Sequence, residues 1–151
     1  MGTLTDRLQA DLKTAMIARD TLKTDTIKGL KAAILNEEVA KKCRDTGLAE
    51  SDIEQIILRE IKKRDEAAEL FEKGGNAESA AKERAEKAIL IEYAPKQIDA
   101  AELQTIVEQT ITELKPDGLK DMGRVIGAVK AKVGTAGDGA LIAKLVKDTL
   151  Q

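Results

Sequence analysis

Three stretches of this chain carry residue types at spacings that chemistry uses. Gly134 to Leu141, GTAGDGAL, has the glycines of a phosphate-binding loop; Ser79-Ala80-Ala81-Lys82 matches the S-x-x-K of penicillin-binding serine enzymes; and Lys120, Arg124, Lys130, Lys132, Lys144 and Lys147 form a basic set near the end of the chain. A P-loop wraps phosphates in backbone amides and then needs a lysine and a magnesium-binding hydroxyl. Ala140 and Leu141 stand in those two places. Such a loop also follows a buried strand, whereas Met122, Ile126, Val129 and Val133 recur at helical spacing. The loop is expected to be a bend between two helices, not a nucleotide site.

The other two serine-enzyme elements, S-D-N and K-T-G, are missing, so Ser79 and Lys82 read as a chance match on a charged, alanine-rich helix. Glu37 and Glu38 are adjacent, which on a helix points them about 100° apart, and no histidine is present to complete a metal set with them. The absence of histidine removes histidine-based triads, two-histidine metal sites and imidazole acid/base chemistry. Phe71 and Tyr93 are the only aromatic residues, too few for a base-stacking platform. No catalytic residue, metal or cofactor is expected.

The 151 residues suffice for one domain or two small ones. The lone Cys43 excludes an internal disulfide and agrees with a reducing compartment. The start, MGTLTDRLQADLK, lacks a basic-then-apolar signal, and no apolar run reaches membrane length. These features set the expectation of a cytosolic protein with no membrane partner. Net charge is −2, but unevenly spread: residues 99–114 hold four acidic and no basic side chains, and residues 115–151 hold seven basic and four acidic ones. That tail carries a local positive balance, which the whole-chain figure hides.

The elements that position these groups are helical throughout. Thr3 and Asp6 form an N-cap pair ahead of a stripe through Leu4, Leu8, Leu12, Ala15 and Met16, and a second stripe runs through Leu22, Ile27, Leu30, Ala33 and Ile34. After a loop around Gly47, Ser51 and Glu54 read as a capping box opening a long helix through Ile53, Ile57, Ile61, Ala68 and Phe71, stopped by Gly74-Gly75. A shorter helix to about Ile91 completes an antiparallel hairpin. Glu60/Arg64, Glu69/Lys73, Glu78/Lys82 and Glu83/Lys87 lie four apart in the favourable order and read as a solvated face.

Pro95 forbids an unbroken helix, which places an N-terminal helical domain at 1–94, a linker at 95–98 and a C-terminal three-helix domain at 99–151. Asp99 with Glu102 caps the first helix of that domain, with Ile98 and Leu103 as a hydrophobic staple. Gly123 and Gly127, one turn apart, are expected to admit a neighbouring helix at close range. The fold class is all-α: a helical domain with a long hairpin, then a small three-helix bundle. In that bundle the basic residues lie on the last two helices, and the amides of Gly137 to Ala140 open the final helix, where anions are favoured. Asp138 is expected to cap that helix.

LKTAMIARD (12–20), KAAILNEE (31–38), REIKKRDEAAELFEKGG (59–75), ILIEYAPKQ (89–97) and DMGRVIGAVKAKVGTAGDGALIAKLVK (121–147) together resemble the GatB/YqeY family, most closely its free-standing YqeY proteins. The C-terminal part is similar to the tail of the B subunit of the glutamine-dependent amidotransferase that acts on misacylated tRNA. The resemblance implies an all-helical two-part protein and a link to tRNA through Met122, Gly123, Arg124, Gly134 and the loop before Leu141. The tRNA-binding set is then Lys120, Arg124, Lys130, Lys132, Gly134, Gly137, Gly139, Lys144 and Lys147. The chain departs from the family's GRADG pattern, with Thr135 in place of a basic residue and Gly137 in addition, and has Lys28 where an arginine is common.

Two functions of different kinds follow as expectations. The first is an accessory protein that binds tRNA through its C-terminal domain, alongside an aminoacylation or amidation enzyme. The second is a protein-interaction module that docks through the hairpin of residues 51–92. The family-level label, a carbon–nitrogen ligase with glutamine as amide donor, carries no expectation of stand-alone catalysis, because only the subunit's tail is shared.

Overall fold

The computed structural model describes residues 2–151. Seven α-helices follow one another among them, with no strand: α1 (Leu4–Ile17), α2 (Thr21–Ala40), α3 (Glu50–Lys73), α4 (Ala77–Ile91), α5 (Ala100–Leu114), α6 (Met122–Val133) and α7 (Gly139–Leu150). The chain divides into two compact units, residues 1–94 and 95–151. No helix among the described residues is long and apolar enough to cross a membrane.

In the first unit, local chemistry sets the helix starts. Thr3 and Asp6 form a reciprocal capping box on α1, Asp20 caps α2 through the Lys23 amide, and Asn76 caps α4 through that of Ser79. The apolar stripes then meet in one core of Leu8, Ile27, Leu30, Ile34, Ile53, Ile56, Ile57, Leu90 and Tyr93. Burying each such aliphatic side chain stabilises the fold by about 1.5–3 kcal/mol. Met16 and Phe71, read as core-facing, are instead 53% and 39% exposed, because the buried positions at these helix ends are Ala15 and Ala68.

The capping box read at Ser51 and Glu54 does not form. Helix α3 already begins at Glu50, with Ala49 at the N-cap and no side-chain cap, and the Asp52 and Ile53 amides donate to the Ala49 carbonyl. Ser51 therefore has helical neighbours on both sides and cannot cap. Glu50 turns outward to another helix start, its carboxylate accepting from the Leu4 amide at 3.3 and 3.4 Å.

Helices α3 and α4 form the expected hairpin, closed by Gly74 and by Gly75 in the left-handed region at φ +78°. Its charges pair differently from the intrahelical pattern. Of the four pairs only Glu60–Arg64 forms, at 4.0 Å, while the strong contacts cross between the helices: Arg64 to Glu86 at 3.0 Å and Glu83 at 3.7 Å, Lys87 to Asp65 at 2.7 Å, and Arg84 to Glu72 at 2.6 Å. The distal hairpin has only small buried residues, Ala68 and Ala80, so these crossings help set its register.

The end of α4 is fastened to α1 by Tyr93. Its ring is 2% exposed, its hydroxyl donates to the Asp11 carboxylate at 2.5 Å, and Arg7 lies over the ring at 4.7 Å while donating to the Glu92 carbonyl at 2.9 Å. Burial, then the hydrogen bond to Asp11 and the charge of that carboxylate, raises the phenol pKa well above its ordinary value. A raised pKa in the folded state stabilises the fold fully below the unfolded tyrosine value of about 10 and loses that contribution as pH rises above it. Because Tyr93 is the only tyrosine, tyrosinate absorbance should stay flat near pH 10 and appear only with alkaline unfolding. Tyr93→Phe should lower stability by about 1–2 kcal/mol in a denaturant titration.

Candidate functional site

The basic set and the glycine loop both belong to the second unit. Asp99 caps α5 by accepting from the Glu102 amide at 2.8 Å, and Ile98 and Leu103 both join the core. That core is aliphatic: Leu103, Val107, Val125, Val129, Ile142 and Val146 are each fully buried. Thr110 is buried with them, its hydroxyl donating to the Ile106 carbonyl at 2.7 Å. Three helices of 12 to 15 residues are thereby held by one another.

The loop from Gly134 to Asp138 is a helix connection. A 3-10 turn at Gly134–Ala136 follows α6, and Asp138 caps α7 by accepting from the Ala140 amide at 3.3 Å. Residues 97 and 98 hold the loop down: the Ile98 amide donates to the Ala136 carbonyl at 2.8 Å and the Gln97 side-chain amide to the Thr135 carbonyl at 2.8 Å. Gly137 is required by packing, since a Cβ there would stand 2.4 Å from Val133 Cγ2 and 3.1 Å from Ile142 Cδ1. Gly134 adopts φ +55°, ψ −137°, a region only glycine enters freely. Gly139 lies beside the end of Lys130, whose Nζ would be 3.6 Å from a Cβ at that position.

The six cations fall into two groups. Lys132 reaches from α6 to α5, donating to Thr110 at 3.0 Å and Glu113 at 2.8 Å. Arg124 donates to the Leu114 carbonyl at 3.3 Å and pairs with Asp121 at 3.4 Å. Lys120 pairs with Asp117 at 2.6 Å, although both side chains are largely exposed and such a surface pair opens at little cost. The Asp121 carboxyl is held below its usual range chiefly by the Asp117 amide, then by Arg124. Lys130, Lys144 and Lys147 are exposed and have no carboxylate partner among the described residues.

Gly123 and Gly127 do not mediate helix packing. A Cβ at either would meet nothing within 4 Å, and both lie on the exposed face of α6. The buried side of that helix is set by Val125 and Val129, and the glycines fall opposite them. The stripe read through Ile126 passed over Val125, which is fully buried, and spacing did not reveal the α5 anchors of Lys132, because residues 110 and 113 approach it only in the folded bundle.

Elsewhere, Ser79 and Lys82 lie on α4, and Ser79 serves that helix through its amide, which donates to Asn76. Glu37 is engaged by Lys41 at 3.6 Å and Arg59 at 3.8 Å, part of an ion-pair chain that runs on from Lys41 to Asp52 at 3.2 Å. No group of three or more potential metal ligands is present among the described residues.

A family model described as Yqey-like protein matches residues 5–150. Relatives in three fungi are named "Altered inheritance of mitochondria protein 41, mitochondrial". The one from Pyrenophora tritici-repentis is 26% identical over 147 residues, covering 95% of this chain and 79% of the relative. Those from Lachancea thermotolerans and Kluyveromyces lactis are 34% and 33% identical over 110 residues, 72% of this chain. The match spans 58% of each of these two yeast proteins, less than two thirds of their length. The expectation of a cytosolic protein is overturned by these names, which are those of mitochondrial proteins. A single cysteine speaks only to disulfide chemistry and does not tell one reducing compartment from another.

The glycine geometry predicts opposite effects within one unit. Gly127→Ala should raise its stability by about 0.5–1 kcal/mol, since only helix propensity changes. Gly137→Ala should lower it by about 1–3 kcal/mol through overpacking. Thermal unfolding of the two variants measures both.

Proposed function

The chain belongs to the Yqey-like protein family, and on that premise we propose that it is a non-catalytic accessory protein that binds tRNA through the outer face of α6 and α7. The observation that carries this reading is the set of exposed lysines, Lys130, Lys144 and Lys147, that no carboxylate of the described residues neutralises. Charges already spent on internal pairs contribute little to an external anion, which separates these three from Lys132 and Arg124. The second unit as a whole holds eight basic and eight acidic side chains, so attraction to a phosphate backbone is local to this face. The absence of stacking aromatics favours backbone contact over base reading.

The nine residues taken from spacing and resemblance thereby acquire different parts. Lys130, Lys144 and Lys147 contact phosphate, and Lys120 joins them by releasing Asp117. Lys132 and Arg124 shape the bundle. Gly134, Gly137 and Gly139 shape the loop, and the Asp138 cap leaves that helix start a poor place for an anion. An aminoacylation or amidation enzyme is the partner such an accessory would serve.

A second reading rests on the hairpin. Leu70 and Phe71, 70% and 39% exposed near its closed end, supply an apolar pair suited to docking another protein. Leu70→Asp/Phe71→Asp would abolish such docking while leaving tRNA binding intact.

The test is a titration of labelled tRNA at two salt concentrations. Four phosphate contacts, Lys120 included, require log K to fall with log salt at a slope of about −3 to −4. Lys130→Glu/Lys144→Glu/Lys147→Glu should abolish binding without lowering the melting temperature, whereas Lys132→Glu should lower the melting temperature first. Equal affinity for tRNA and an unrelated acidic polymer, or no binding at low salt, would sink the proposal.

A further inference from the structure

Helix α2 carries a surface that neither reading uses. Between α1 and α2 lies a cleft of about 330 Å³ whose walls include Lys31, Ile34, Leu35 and Glu38. These four stand at i, i+3, i+4 and i+7, the corners of the hole into which a facing helix inserts one side chain. Leu8 and Ile34, 1% and 6% exposed, give it an apolar floor, while Leu35 projects from the same face at 42% exposure and Val39 at 55%. Leu35 beside this hole offers both a knob and a socket to a facing helix.

The charges at the ends of the hole say what that facing helix is. Lys31 bonds only the side-chain oxygen of Gln9, and the Glu38 carboxylate has no hydrogen-bond or ion-pair partner among the described residues. They are opposite in sign, seven residues and so about 10 Å apart along the axis, and equidistant from the point between Ile34 and Leu35. A two-fold axis through that point lays an antiparallel copy of α2 across the first. Each Lys31 then faces the Glu38 of the other copy, and each Leu35 falls over the other copy's hole. The same rotation brings Lys28 level with Lys41, but Lys41 is already engaged by Asp52 and Glu37.

We propose that this face of α2 binds a second copy of the chain, as an antiparallel, two-fold symmetric pair with Leu35 as the mutual knob. Symmetric contacts of this kind use one patch twice, which requires the patch to be complementary to itself under rotation. A hole flanked by one cation and one anion at equal distances from its centre meets that requirement; a foreign helix would not need it. One helix pair buries an area at the low end for specific association, so the dimer is weak and concentration-dependent.

Sedimentation equilibrium of the full chain up to about 1 mM, where weak association becomes measurable, tests it. The wild type should shift from monomer to dimer with concentration, and Leu35→Glu should remain monomeric. Lys31→Glu and Glu38→Lys should each weaken association by about tenfold or more, because like charges then meet twice. The double variant Lys31→Glu/Glu38→Lys should regain it, and an equimolar mixture of the two single variants should form a mixed dimer. All three substituted positions, Lys31, Leu35 and Glu38, are at the surface or its edge, and circular dichroism checks the folding of each variant. A wild type that stays monomeric throughout overturns the proposal, as does a dimer indifferent to Leu35→Glu, or a double variant as weak as its parents.

Discussion

Each helix of this chain depends on a neighbour to cover its apolar stripe. Segments of 12 to 15 residues such as α5, α6 and α7 are marginal alone in water, and no disulfide or histidine-bearing metal site is available to fasten them. The two aliphatic cores therefore decide the geometry of everything else. Valine and isoleucine dominate both, and their stiff side chains favour one arrangement over many. Tyr93 extends this logic to the boundary of the first unit: its buried ring joins the core, and its hydroxyl must then find Asp11.

Around those cores the charges do two kinds of work. On the distal part of the hairpin, where the buried residues are Ala68 and Ala80, ion pairs crossing from α3 to α4 take over part of the task of holding register. In the second unit Lys132 and Arg124 join α6 to α5 and to the turn before it. A positive count along the tail thus overstates what is offered to an external anion. The cations that remain, Lys130, Lys144 and Lys147, are exposed and carry no ion pair among the described residues.

The surface of α2 belongs to the same economy of helix faces. Its buried side supplies Ile27, Leu30 and Ile34 to the first core, yet Leu35 and Val39 continue the apolar character past the edge of what α1 covers. A helix of 20 residues beside one of 14 leaves surface over, and the charges bordering it are arranged symmetrically.

What was legible in the residues themselves was mostly local. The Thr3/Asp6 box, the Asp99 cap, the glycine stop at 74–75, the span of α6 and the nature of GTAGDG as a bend all arise from interactions within a few positions, which spacing exposes directly. Ser51 misled because a cap is chosen by where the backbone leaves extended geometry, and that point, Ala49, carries no side-chain signal. Tertiary structure alone decided the rest. Tyr93 meets Asp11 across 82 positions, Lys132 meets Glu113 across 19, and the hairpin carboxylates choose partners on the opposite helix rather than their own. Gly123 and Gly127 show the same limit from the other side, for a one-turn spacing states that two residues share a face but not whether anything lies against it. Periodicity determines which side of a helix is apolar; only packing in three dimensions determines which of its charges and small residues are left for a partner.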